Sequence, residues 1–311
     1  MSGTASDLIA GLEAGGTKFV CGIGTGGDRL LARVAFPTGN DPATVLSKIV
    51  EWLTLQQNQF GPVKALGIAS FGPVELHPDS PTFGLITSTP KPGWQNTDLI
   101  TPLRRAVGDI PVGFDTDVNG AALAERRWGA ACGLDDFIYL TMGTGIGGGG
   151  MARGQLLHGL VHPEMGHLRL PRLAGDTFPG VCPFHGDCWE GLCSGPAILA
   201  RTGVPAEDLP ADHPTWPQVV EYTAMAIANL ICTLSPRRII LGGSIRKAGH
   251  FTEARFFRLL CERVQRLMTG YVVAPPLIGE AIHEYIVPPL LGDDAGVIGA
   301  LELGRNTLGA M

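Results

Sequence analysis

The stretch LEAGGTKFVCGI, Leu12–Ile23, sets two apolar runs on either side of a turn made of Gly15, Gly16, Thr17 and Lys18. About 130 residues further on, LTMGTGIGGGGM, Leu140–Met151, repeats the order of strand, Gly-Thr turn and strand. One such hairpin is a tight turn and nothing more. Two at this separation read as one lobe duplicated. In both turns glycine leaves backbone N–H groups open to a phosphate that a bulkier side chain would hold off. Neither has the GxxxxGK[ST] spacing and neither runs from a strand into a helix, which excludes the P-loop and the dinucleotide-binding fingerprint.

The flanking chain fits an α/β protein. Asp41 is placed to cap a helix with Pro42 at its first position and Val45, Ile49, Trp52 and Leu53 on one face. VKALGIASFGPV (63–74) and PVGFDTDV (111–118) read as strands, with the helix DLITPLRRAVG (98–108) between them. A polar turn, GGDR (26–29), precedes a third strand at LLARVAF (30–36). The second half repeats the theme: a helix over 119–131, the glycine hairpin, a loop-rich insert over about 160–196, a long helix over 216–236 and the strand RRIILGGSI (237–245). A helix over 253–271, a strand EYIVPPLL (284–291) and a terminal helix over about 295–311 complete it. The lobes are expected at 1–118, joined by the terminal helix, and at 119–294.

At 311 residues the chain exceeds the size at which one core stops growing, so two domains are expected. Its 45% apolar and 17% charged content is that of a globular protein. A net charge of −6, with 23 dispersed Lys and Arg, offers no field for a nucleic acid. The opening residues lack the basic start of a signal peptide, and no apolar run reaches the ~18 residues of a membrane span. A cytoplasmic protein follows as the expectation. In that reducing compartment seven cysteines without framework spacing argue against structural disulfides.

Three segments carry candidate chemistry. In GFDTDVNGAALAE, Gly113–Glu125, Asp115 and Asp117 are read at a strand end ahead of a helix started by Asn119. There Asp117 is either a general base for a substrate hydroxyl or a helix cap. In VCPFHGDCWEG, Val181–Gly191, Cys182, His185 and Cys188 are read chiefly as three zinc ligands. A disulfide or a Cys-His nucleophilic pair fits the reducing compartment and the tight Pro183–Gly186 knuckle less well. HPEMGH, His162–His167, with His158 just before it, supplies the fourth ligand: His167, with His162 as substitute. A metal there would bring Glu190 beside Glu164, two carboxylates suited to sugar hydroxyls.

Two glycine hairpins plus a third glycine element, LGGS (Leu241–Ser244), follow the layout of actin-like sugar kinases, with nucleotide and sugar in a cleft between lobes. With STPKPGW (Ser88–Trp94) and YIVPPLLGDDAGVIGA (Tyr285–Ala300), the segments quoted above make the chain resemble the ROK family of bacterial sugar kinases over nearly its whole length, most of all the fructokinase branch. The resemblance implies a two-lobed actin-like ATPase fold, ribonuclease H-like, and transfer of phosphate from ATP to D-fructose with magnesium. It implies ATP contacts from Gly15, Gly16, Thr17, Lys18, Gly143, Thr144, Gly145, Pro196, Gly242, Gly243 and Lys247. Asp117 would be the base, with sugar contacts from Asp117, Asn119, Glu164, His167 and Glu190, and zinc on His167, Cys182, His185 and Cys188.

Three positions depart from the family pattern. His185 replaces a cysteine and remains a good zinc ligand. Glu13 replaces an aspartate and can reach a magnesium-bound water. Thr116 replaces an asparagine that touches glucose, which favours a ketose. The first loop begins at Glu13, so a kinase is expected over the family's winged-helix repressors, and a homodimer over a monomer. The rivals are a glucokinase, mannokinase or broad hexokinase, a non-catalytic sugar sensor and a zinc-binding interaction module.

Overall fold

The computed structural model describes residues 7–25 and 29–309, so most of the polar turn at 26–29 and the last two residues of the expected terminal helix lie outside the described residues. The backbone divides into two compact units. Of the described residues, one holds those up to Gly133 together with Leu156–His162 and those from Leu291 onward; the other holds Leu134–Gln155 and Pro163–Leu290.

In the first unit, β1 (Ile9–Ala14), β2 (Lys18–Gly24) and β3 (Ala32–Pro37) form an antiparallel meander. α1 (Pro42–Phe60) leads to β4 (Ala65–Ser70), which pairs parallel with β1. Asp41 caps α1 by accepting the N–H of Thr44, as its sequence indicates. A small hairpin, β5 (Leu85–Ile86) and β6 (Thr97–Asp98), precedes α2 (Ile100–Val107). β7 (Val112–Thr116) closes the sheet in the order β3-β2-β1-β4-β7 and runs directly into α3 (Asp117–Trp128).

The second unit repeats this plan. β8 (Phe137–Met142) and β9 (Ile146–Ala152) form the second glycine hairpin, and β10 (Gln155–Leu156) lies at its edge. The insert carries α4 (Trp189–Cys193), which is followed by α5 (Gly195–Thr202) and α6 (Thr215–Leu234). β11 (Ile239–Gly242) then pairs parallel with β8. After α7 (Glu253–Met268) and the single turn α8 (Ile282–Tyr285), β12 (Ile286–Val287) pairs parallel with β11. The strand order β10-β9-β8-β11-β12 matches the first sheet position for position. The expected strand over 284–291 shrinks to two residues, because Pro288 and Pro289 follow at once and cannot donate to a ladder.

The chain returns to the first unit as α9 (Ala295–Leu308). Alternation along β1 decides what each face holds. Ala10, Leu12 and Ala14 join Val45, Leu46, Ile49 and Leu53 of α1 and Leu103 of α2 in the main core, whereas Ile9 packs with Leu301 of α9. On the α9 face the sheet is bare of side chains at its centre. A Cβ on Gly67 would strike the carbonyl of Ala300, one on Gly113 the carbonyl of Leu303, and one on Gly299 the carbonyl of Gly120 in α3. The last contact corrects the domain boundary. The sequence reading assigned 119–133 to the second lobe, but α3 packs on α9, so the first unit extends to Gly133.

Among the described residues no helix is long and apolar enough to cross a membrane. The α9 contact yields a prediction. Gly67→Ala forces a methyl into backbone atoms that cannot yield, and overpacking of this kind costs about 1–3 kcal/mol or more. Gly309→Ala has open space and should be neutral. Chemical denaturation of the two variants should separate them by at least that margin; equal midpoints would show that α9 does not depend on the missing side chain.

Candidate functional site

In the first unit the β1–β2 turn is tied at both ends. Gly15 donates its N–H to the carbonyl of Lys18 at 3.1 Å, and Thr38 donates its hydroxyl to the Gly15 carbonyl at 2.7 Å and its N–H to Thr17 at 3.0 Å. Thr38 is fully buried and was not singled out from sequence. The turn's backbone is therefore fixed before any ligand arrives.

Glu13, one residue before the strand ends, points to the α9 face, where a Cβ on Gly296 would collide with its carboxylate. Its Oε2 is buried without a hydrogen-bond partner. Burial, then the charge of Asp117, push this carboxyl up to about 7 against the opposing pull of Lys18 and Arg33. Two acids of one unit, the charge of Asp117 raising Glu13, with an orphaned oxygen between helix and sheet, fit a cation.

Asp117 is not a strand residue, as expected, but the first residue of α3. Nor is it the cap. Thr116 Oγ1 accepts the N–H of Asn119 at 3.2 Å, while Asp117 Oδ1 accepts the N–H of Val118 at 2.9 Å. Asp117 keeps part of its surface open, yet atoms crowd its carboxyl closely enough that desolvation pushes it up to about 6. Asp115 lies behind it in β7, 3% exposed, and accepts from the N–H of Thr116 at 2.7 Å and the side-chain amide of Asn119 at 2.8 Å.

In the second unit the β8–β9 turn gathers the other glycine elements. Gly143 donates to Gly145 at 2.8 Å, and Gly195, at the start of α5, donates to the Gly143 carbonyl at 2.8 Å. Pro196 therefore lies one residue from the turn. A side chain on Gly143 would meet Ser244, and one on Gly243, held at φ +86°, would strike the backbone of Met142. The short turn Ile245–Lys247 follows. Gly143, Gly195 and Gly243 thus lie together, with Pro196 and Gly242 next to them in the chain.

The insert brings the four candidate metal ligands together. His167, Cys182, His185 and Cys188 place one ligand atom each within 4.8 Å of all the others. His167 Nδ1 is 3.4 Å from Cys188 Sγ and 3.7 Å from Cys182 Sγ, and His185 Nδ1 is 3.6 Å from Cys182 Sγ. Bonds of about 2.0–2.3 Å to a tetrahedral zinc give ligand–ligand edges of about 3.3–3.8 Å. The donor set and its spacing fit zinc. All the cysteines are free thiols, and without a cation burial pushes Cys188 up to about 11, the reverse of a reactive nucleophile. His162, the substitute ligand, is not in this set. It belongs to the first unit, where its Nε2 accepts the N–H of Val74 at 3.1 Å.

His167 turns its other nitrogen outward: Nε2 is 4.0 Å from Glu164 Oε2. Glu190, in the first turn of α4, spends Oε2 on the N–H of Ile146 at 2.8 Å, so it braces the glycine turn as well as flanking the knuckle. A second fastening was missed from sequence. Asp176 accepts two hydrogen bonds from Arg201, at 2.7 and 3.1 Å, and one from the Tyr222 hydroxyl at 2.6 Å, which binds the insert to α5 and α6. Burial opposes that charge, but Arg201 and Tyr222 hold the carboxyl down at about 2.

Comparison with known proteins agrees with this arrangement. The model of the ROK family matches residues 9–307. A fructokinase of Pediococcus pentosaceus is 38% identical over 97% of this chain and 99% of its own, and one of Zymomonas mobilis subsp. mobilis is 40% identical over 94% of each. Among solved structures, the ROK hexokinase from Thermus thermophilus superposes with a TM-score of 0.75 at 27% identity, covering 98% of this chain and 100% of that one. The two sheets of matching strand order are those of the actin-like ATPase fold, ribonuclease H-like in each unit. A likeness that runs unbroken through both units makes this chain a member of the ROK family.

Proposed function

We propose that the protein is a fructokinase, transferring the terminal phosphoryl group of ATP to the 6-hydroxyl of D-fructose and releasing ADP and fructose 6-phosphate. The observation that carries this reading is the near full-length identity of 38–40% to two fructokinases. The local chemistry supports it. Asp117, raised to about 6, is ionised at neutral pH and basic enough to take the hydroxyl proton. The turns at Gly15–Lys18 and Gly143–Gly145, with Thr17 and Thr144, hold the phosphates; Pro196, Gly242, Gly243 and Lys247 take the adenosine side. Magnesium, when bound, neutralises phosphate charge, and Glu13 is the residue that would hold it through a water. Asn119, Glu164, His167 and Glu190 contact the sugar.

Thr116 supports a ketose over glucose. Its hydroxyl is committed to capping α3, so this position offers no amide to an aldose. Zinc, held by His167, Cys182, His185 and Cys188, shapes the insert and takes no part in the transfer; it fixes His167 through Nδ1 and leaves Nε2 for the sugar. A homodimer is the proposed assembly in solution, on the family resemblance alone. The net charge of −6 favours neither nucleic acid nor an anionic membrane as partner.

Three measurements test these assignments. Across fructose, mannose, glucose and N-acetylmannosamine, coupled ADP release should give the highest kcat/KM for fructose; a higher value for another hexose would replace the substrate. Asp117→Asn should lower kcat by about 10²–10⁴-fold while calorimetry still detects fructose. In the wild type kcat should fall as pH drops below about 6, because a base must be deprotonated. Near-normal turnover of the variant removes Asp117 as base. Elemental analysis should find one zinc per chain, lost in Cys182→Ser, with the fructose KM raised about tenfold and the ATP KM unmoved. Zinc-free protein with ordinary fructose affinity would contradict the knuckle's role.

A further inference from the structure

Asp115 is a buried carboxylate whose oxygens are all engaged, and one of its partners is a half-exposed histidine that the reaction as described does not use. Oδ1 takes the Thr116 N–H and the Asn119 amide; Oδ2 meets His158 Nε2 at 2.8 Å. The His158 side chain is 45% exposed, that of Asp115 4%. Asn119 Nδ2 lies 3.4 Å from the same ring nitrogen. Four groups thus meet in one unit: the acid, the imidazole, the amide proposed to touch sugar and, two residues before it, Asp117.

A buried anion accepting at Nε2 fixes the tautomer and plane of the ring. The proton sits on Nε2, and Nδ1, which has no partner among the described residues, is presented at a set angle. Fastening Leu156–His162 to the first unit does not account for this. That segment is also held by His162 on Val74, a bond that needs no carboxylate. Orientation of one imidazole by one buried carboxylate is what positions a hydrogen-bonding group for a ligand.

We propose that His158 is a substrate-binding residue, presenting Nδ1 to a hydroxyl of the hexose, with Asp115 as its positioning residue. The inference rests on the fructokinase reading above. It adds a sugar contact in the first unit that no motif assigned. The hydrogen bond to Asp115 also raises the imidazole above its ordinary range.

The test compares His158→Ala, His158→Gln and Asp115→Asn with wild type, using the hexose the wild type turns over best. His158→Ala should raise the hexose KM about 10- to 100-fold, as for loss of a hydrogen bond to a charged or charge-assisted partner, with kcat and the ATP KM within about threefold. Added imidazole should restore part of the hexose affinity, which a purely structural fastening would not show. His158→Gln should recover some of the loss, and Asp115→Asn should raise the hexose KM in the same direction as His158→Ala. A hexose KM unchanged within twofold, or hexose and ATP KM rising together with a lowered melting temperature and no imidazole rescue, would overturn the assignment. Absence of wild-type turnover on every hexose would overturn the kinase reading itself, whereas normal wild-type turnover with an indifferent His158→Ala overturns this inference alone.

Discussion

The first unit depends on backbone meeting backbone where α9 crosses the sheet and α3. Gly67, Gly113 and Gly299 leave no side chain between the main chains, so helix and sheet approach more closely than ordinary core residues allow. Around that contact everything else is arranged. β1 and β4 lie beneath α9, α3 lies beside it, and the α3 N-terminus carries Asp117. The Glu13 carboxyl is desolvated because α9 covers its face of β1, and its raised pKa follows from that cover. Electrostatics at this end of the unit is thus a consequence of glycine placement some distance along the sheet.

In the second unit the HPEMGH segment and the knuckle meet where His167, Cys182, His185 and Cys188 bring four potential ligand atoms together, and the Asp176–Arg201–Tyr222 cluster fastens the intervening loop to the helices. Arg172 and Arg169 extend the charge network to Asp187, beside Cys188. The insert is therefore held by polar groups at several points along a loop rich in proline and glycine.

What could be read from sequence was whatever repeats or caps locally. The two glycine hairpins and the Asp41–Pro42 helix start announce themselves within a dozen residues and took the form expected, and the Cys-His-Cys knuckle, equally local, gathers its three side chains with His167. The strand end at Asp115–Asp117 was read one element too long, because Thr116, which caps, and Asp117, which does not, are both acceptable N-terminal residues. Pairing of Asp115 with His158 spans 43 positions and leaves no periodic trace. Nor could the partition of α3 be seen: Gly120 and Gly299 are unremarkable glycines until a helix 179 positions later is laid against them.

The order in which the units are encoded bears on how the protein is made. The first unit needs the residues from Leu291 onward, which leave the ribosome after the whole of the second unit, complete at Leu290. Synthesis usually lets the N-terminal domain fold first. Here the sheet of the first unit is made before the second unit and α9 after it, so the α9 face is covered only once the second unit has been synthesised. Until then Ile9, Ala65 and Glu13 on that face lack the helix that covers them in the folded unit.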